Sequence, residues 1–263
     1  MSSKETPAKG GEKEGIEKIS RPGVKHVIAV MSGKGGVGKS SVTALLAAGA
    51  RKEGFQVGVL DADITGPSIP KMFGLKSFTK GRGIFPAESK LGVKVMSLNL
   101  LLSSEDDPVI WRGPLIGRAV TQFWQDVEWG ELDYLFIDLP PGTADAPLTV
   151  MQIIPLDGLV IVSSPQDLAV MVVKKALKMA DSMDIPVLGM VENMSYFICP
   201  HCQEKVEIFG PTQGEEVATV TEVPFLASIP LDQRLAEHCD SGTVEDYSSD
   251  LFKKLLALTR LKA

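Results

Sequence analysis

Cysteine is scarce in this chain. Three residues in 263 cannot all pair with one another, and two of them stand together as Cys199-Pro200-His201-Cys202. That excludes a secreted disulfide framework and points to reduced thiols used for metal or redox chemistry in a cytosol. Long apolar runs are missing too, since no stretch reaches the ~20 residues that span a bilayer. Positive charge falls short of negative, with 27 Lys and Arg against 33 Asp and Glu and a formal charge of −6. That sign opposes long-range attraction to nucleic acid or anionic lipid. The first 20 residues have four Lys, four Glu and hardly any apolar side chains. They lack the apolar core of a secretory signal and the Arg-rich, acid-poor character of a mitochondrial presequence. Residues 1–23 therefore read as a solvated, disordered tail. With no internal repeat and no linker past residue 23, 24–263 reads as one domain, and a cytoplasmic protein is expected. The 44% hydrophobic and 23% charged content is that of an ordinary soluble chain long enough to bury a large core.

What the chain has in quantity is short β-branched runs alternating with helical patterns. The segments 26–31, 57–61, 93–98, 134–138, 158–163, 186–192 and 224–230 read as strands. Most are apolar throughout rather than alternating, as expected when helices cover both faces of a parallel sheet. Helices fit over 39–52, 117–126, 168–183, 214–220 and 246–259. This alternation predicts an α/β fold, a doubly wound and mostly parallel sheet with helices on both faces, and ligands at the carboxyl ends of the strands.

The stretch Gly33-Lys34-Gly35-Gly36-Val37-Gly38-Lys39-Ser40 matches G-x-x-x-x-G-K-[ST] between an apolar strand and a helix, with Ser41 following. The glycines let backbone N–H groups turn toward phosphate oxygens, and the helix N-terminus adds partial positive charge. Lys39 would reach the β- and γ-phosphates of ATP or ADP, and the Ser40 hydroxyl would ligate Mg²⁺. The run Tyr134-Leu135-Phe136-Ile137 leads into Asp138, placed to hold Mg²⁺, usually through water. Gly142 follows on a loop suited to sense the γ-phosphate. Asp61 and Asp63 end the second strand beside the P-loop. One would orient the attacking water while the other supports the metal shell, or both are polar turn residues.

The extra early lysine in this loop resembles the deviant Walker A of the SIMIBI class, which includes the MinD/ParA ATPases. In that class the early lysine reaches across a dimer interface to the partner's nucleotide. The resemblance implies that Lys34 acts in trans as an arginine finger does, coupling hydrolysis to a homodimer. The motifs "DADITGPS", "WRGP", "DYLFIDLPPGTAD", "SSPQDLAV", "GMVENMSYFICPHC" and "IPLD" are similar, in order, to those of the Mrp/ApbC family of iron–sulfur carrier ATPases. By that resemblance Asn193 reads the adenine and Pro230 helps wall the base, although a buried Asn capping a strand explains Asn193 as well. Arg112 is placed to contact a partner subunit or switch loop, or to make an ordinary salt bridge.

A lone C-x-x-C is compatible with zinc, a redox disulfide or an iron–sulfur cluster. One chain offers two spaced thiolates, Cys199 and Cys202, where a [4Fe–4S] cluster or structural zinc takes four ligands. A two-fold dimer would bring four together at its axis. His201 is expected to be exposed. Cys239, far along the sequence in a helical stretch, is given no role. The C-terminal leucines with Lys253, Lys254 and Arg260 form a basic amphipathic helix. It either packs on the sheet or serves a MinD-like membrane contact. The combined expectation is an ATP-binding, weakly hydrolysing homodimer that passes a [4Fe–4S] cluster to apoproteins, with no nucleic acid and no membrane among its partners. The alternative is a MinD/ParA-type positioning ATPase.

Overall fold

The computed structural model describes residues 20–63, 66, 68–76, 83–97, 113–143, 145–165 and 169–259; residues 1–19, Arg112 and Arg260 lie outside them. In chain order the elements begin with β1 (Val24–Ser32), α1 (Lys39–Lys52), β2 (Val57–Asp61), α2 (Ile69–Met72), β3 (Ala87–Glu88) and β4 (Lys94–Ser97). Next come α3 (Gly113–Asp126), β5 (Leu132–Asp138), α4 (Asp145–Ile153), β6 (Gly158–Ser163), α5 (Ala169–Asp181) and β7 (Val187–Glu192). The chain finishes with β8 (Phe197–Ile198), β9 (Lys205–Val206), α6 (Gly214–Thr221), β10 (Phe225–Ser228), α7 (Gln233–Ser241) and α8 (Leu251–Leu258). Among the described residues eight strands make one sheet in the order β10-β7-β6-β1-β5-β2-β4-β3, in which only the β3–β4 pairing is antiparallel. Strands β8 and β9 stand apart as a small hairpin.

The apolar runs have a direct structural cause, because both faces of the sheet are covered. Along β1, Val27, Ala29 and Met31 join one core with residues of α3, α4, α5 and α6. Ile28 and Val30 join the other, built with α1, α2, α7 and α8. The second core contains an aromatic knot in which the ring of Phe252 meets Phe55, Tyr134 and Phe136 edge-on, with centroids 5.7, 5.2 and 6.3 Å away. Leu251, Phe252 and Leu255 of α8 are all buried there, so the apolar side of the basic C-terminal helix faces the protein.

The helices differ from the sequence reading in several places, and α2, α4 and α7 were not among those expected. Helix α3 starts at Gly113 rather than Gly117, because Pro114 is tolerated in a first turn, where its missing N–H costs nothing. Helix α4 was not anticipated, and its Pro147 sits in the first turn for the same reason. The last helix starts only at Leu251. Ser249 takes the Leu251 N–H on its hydroxyl at 3.2 Å, and the preceding Val244–Asp246 winds as a 3-10 turn. At the other end of the chain, the Arg21 guanidinium donates to the carbonyls of Trp124, Gln125 and Val127 at the end of α3, which fastens the chain just before β1.

Candidate functional site

Strand β1 lies between β6 and β5, the place where the order of the sheet reverses, and the crevice beyond such a point is where open α/β sheets bind ligands. The glycine-rich loop leaves β1 there and turns into α1. Gly38 caps that helix in the left-handed region, φ 78, with no side-chain cap and no acid in the first turn, so the first N–H groups and the positive end of the dipole face outward for an anion. A Cβ on Gly38 would stand 2.1 Å from Asn193 Nδ2, and one on Gly33 would stand 2.0 Å from Val172 Cγ1. The loop is therefore gripped on both sides, by the residue after β7 and by the first turn of α5. Lys34 is exposed on it, its carbonyl held by the Ser32 hydroxyl at 2.9 Å. The loop after β5 closes on the same strand end, where Gly142 donates its N–H to Ser32 O at 2.9 Å.

Beneath the loop the charged groups form one buried network. Lys39 Nζ lies 2.8 Å from Asp138 Oδ2 and 3.7 Å from Asp63 Oδ2. Asp138 has no solvent-exposed surface. It also accepts from the Ser40 hydroxyl at 2.6 Å and from the Thr43 hydroxyl at 2.8 Å. Asp61 lies opposite Asp138 across the β2–β5 pairing; it accepts from Asp63 N at 3.1 Å and from the Ser97 hydroxyl at 3.2 Å. Burial pushes its pKa well above the ordinary carboxylate value, and the Asp138 charge adds to the shift. Thr43 and Ser97 are members of this network that sequence reasoning missed. Thr43 was legible, since position i+4 from Lys39 on α1 points to the same side; Ser97 became a neighbour only through the β2–β4 pairing.

A cavity of about 240 Å³ opens beside the start of α1, lined by Ser41, Asn193, Met194, Pro230, Leu231 and residues of α7. Asn193 is nearly buried; its Nδ2 donates to Val37 O at 2.9 Å and its N–H to Ser163 O at 2.8 Å. Fixing the amide nitrogen on the loop aims Oδ1 elsewhere, as an acceptor. The structure brings Asn193 and Pro230 to one cavity at the foot of the phosphate loop. It places Cys239, to which the sequence assigned no role, there as well. That residue is distant in sequence, yet it lines the same cavity, its thiol raised in pKa by burial and hydrogen-bonded to Ser41.

Cys199 and Cys202 lie at the turn of the β8–β9 hairpin, closed by Cys199 N to Glu204 O at 3.0 Å and Gln203 N to Cys199 O at 2.9 Å. The backbone N–H groups of Cys202 and His201 point at the Cys199 sulfur, the Cys202 thiol adds a further hydrogen bond, and together they lower the Cys199 pKa. Both thiols are free, Cys202 is exposed, and the side chains of Ile198, Val206 and Ile208 around them are exposed too. Among the described residues no group of three or more His, Cys, Asp or Glu side chains is arranged to hold a metal. The hairpin offers a soft-metal site with two ligands, half of what zinc or a four-iron cluster takes.

Known proteins resemble this chain in sequence and in fold. Residues 23–260 match the sequence profile of the ParA family described as NUBPL iron-transfer P-loop NTPase. The iron-sulfur cluster carrier protein of Methanocaldococcus jannaschii is 49% identical over 241 residues, covering 89% of this chain and 83% of that one. A nucleotide-binding protein from Archaeoglobus fulgidus, solved in complex with ADP, superimposes with a TM-score of 0.79 at 49% identity over 88% of this chain and 91% of its own. The MinD cell division protein of Aquifex aeolicus shares the fold at 20% identity and TM-score 0.59, covering 88% and 94% of the two chains.

Proposed function

The chain belongs to the NUBPL iron-transfer family of P-loop NTPases, and we propose that it is an ATP-binding, weakly hydrolysing homodimer that carries a [4Fe–4S] cluster in the cytoplasm and passes it to apoproteins. The observation that carries this reading is the hairpin with its two thiols, where the described residues present no group of three or more His, Cys, Asp or Glu side chains that could hold a metal. A ligand set that is half complete in one chain becomes complete when a two-fold axis repeats it. A cluster held at such a turn faces solvent on both sides, which suits transfer.

In this reading the phosphates of ATP or ADP sit on the N–H groups of Gly33 to Ser41, and Lys39 leaves Asp138 to pair with the β- and γ-oxygens. The Ser40 hydroxyl and the Asp138 carboxylate are hard oxygen donors of the kind Mg²⁺ takes, so these two would hold the ion, which offsets charge on the phosphates. Asp63 orients the attacking water. Asp61 holds the Asp63 backbone in place through the 3.1 Å bond to its N–H. Lys34 supplies the additional positive charge to the partner's nucleotide in the transition state. The adenine lies in the cavity between Asn193 and Pro230, with its 6-amino group facing the Asn193 oxygen.

A membrane-positioning switch draws little support from α8, whose Leu251, Phe252 and Leu255 are buried in the core while Leu258 is exposed. No helix among the described residues is long and apolar enough to cross a membrane.

The test is metal content. After anaerobic reconstitution, iron and sulfide should be present at about two each per chain, one four-iron cluster per dimer, and both should be lost from the Cys199→Ser/Cys202→Ser protein. Stoichiometric zinc, or iron that persists in the double variant, would sink the reading.

A further inference from the structure

The hairpin hangs from the wall of the base cavity by a short, fully bonded link. Asn193 and Met194 line the cavity on the β7 side, Pro230 and Leu231 on the β10 side. These two walls are laced together: Ile229 N donates to Glu192 O at 2.8 Å, Ser195 N to Ile229 O at 2.9 Å, and Leu231 N to Tyr196 O at 2.7 Å. The buried Ser195 hydroxyl adds a 2.6 Å bond to Glu192 O. Tyr196 is thereby tied to the cavity wall, and the next residue, Phe197, begins β8 on the way to Cys199. Met194, one of the lining residues, is itself held in the left-handed region at φ 56, a conformation a residue of this size adopts only when its surroundings impose it. Movement of this wall therefore turns the root of the hairpin. The phosphate loop meets this wall at Asn193, whose Nδ2 donates to Val37 O; the acids proposed to work at the phosphates are farther off, Asp61 ending β2 with Asp63 just beyond it and Asp138 ending β5 with Gly142 beyond it, and β6 and β1 lie between those strands and β7.

We infer that the base end of the nucleotide, rather than its γ-phosphate, sets the state of the Cys199/Cys202 hairpin. A purine seated between Met194 and Leu231 fixes the root of β8 and changes the access of metal or recipient to the two thiols. ATP and ADP then act alike on the hairpin, and a bare phosphate chain does not act at all. By linkage, a ligand on the thiols changes nucleotide affinity by the same factor. The inference rests on the reading of this cavity as the adenine pocket.

Cys239 makes the two testable separately, because it lines the same cavity and reports occupancy. The full-length chain, reduced and metal-free, is pulsed with iodoacetamide, and the modification rate of each cysteine is read by mass spectrometry. This is done alone and with saturating Mg²⁺–ADP, Mg²⁺–ATP or Mg²⁺–tripolyphosphate, saturation being set by calorimetry. ADP and ATP should both slow Cys239 and change the Cys199 and Cys202 rates by about fivefold or more, the lower end of ordinary coupling between sites. Tripolyphosphate should change neither. Protection of Cys239 by ADP with Cys199 and Cys202 unmoved would overturn the coupling and leave the pocket standing. An unprotected Cys239 would remove the pocket and the inference together. Tripolyphosphate moving Cys199 and Cys202 as far as ADP does would assign the signal to the phosphates and refute the inference.

Discussion

Gly38→Ala tests whether the phosphate loop and the base cavity are one construction. The methyl group has two separate costs. At φ 78 an L side chain costs about 1–2 kcal/mol. The new Cβ would also lie 2.1 Å from Asn193 Nδ2, so the amide must swing away and break its bond to Val37 O. Leaving those buried groups unpaired costs about 1–3 kcal/mol more. Gly36→Ala is the control, with nearly the same backbone, φ 82, but open space where its Cβ would stand; only the first cost applies. In urea titrations of the nucleotide-free protein, Gly36→Ala should lose about 1–2 kcal/mol and Gly38→Ala about 2–5 kcal/mol. Asn193→Ala combined with Gly38→Ala should be more stable than the sum of the two single losses, because the clash has gone. Equal losses for the two glycine variants, or strict additivity in the cycle, would refute the idea that Asn193 and the loop are locked together.

Three further outcomes follow from the site and the core. Lys34→Ala should leave ADP binding nearly intact by calorimetry while phosphate release falls on the order of 10³-fold, as for a missing arginine finger; unchanged hydrolysis would show that the lysine is not used in trans. Asp61→Asn should stabilise the metal-free protein at pH 7. Folding favours the neutral acid at Asp61, so its contribution is greatest in acid and erodes as pH rises from about 3.9, the unfolded value. The gain over wild type should therefore vanish near pH 3–4, and a gain independent of pH in urea titrations would contradict that origin. Phe252→Ala removes the ring that Phe55, Tyr134 and Phe136 surround; it should cost about 3–5 kcal/mol and lower Tm by roughly 10 °C, and a loss under about 1 kcal/mol would mean that α8 is not part of the core.

The strands were legible because burial on both faces writes itself as unbroken Val, Ile and Leu, and the phosphate loop because few sequences put those glycines between a strand and a helix. Two-residue strands such as β3, β8 and β9 leave no pattern to detect. The proline-containing starts of α3 and α4 misled, since proline marks both a turn and a first helical turn. The acids Asp61, Asp63 and Asp138 could be named from strand ends, but their grouping around Lys39 needed the β2–β5 pairing. Cys239 shows the limit most clearly. It is separated from Ser41 by about three quarters of the chain, and only the fold brings the two to one cavity.

The order of the strands also has a consequence for synthesis. β1 is made before the other described strands, yet it takes the middle of the sheet, with β5 on one side and β6 on the other, pairing as far along as Val162. At about 5–20 residues per second, an apolar segment that ends in the phosphate loop must wait on the order of ten seconds for both of its edges to be covered. During that interval it is the part of the nascent chain most exposed to wrong pairing. The cavity beside it closes later still, because its last wall comes from α7. In a chain stopped before α7, the Gly33–Ser41 loop would stand without the last wall of the cavity beside it.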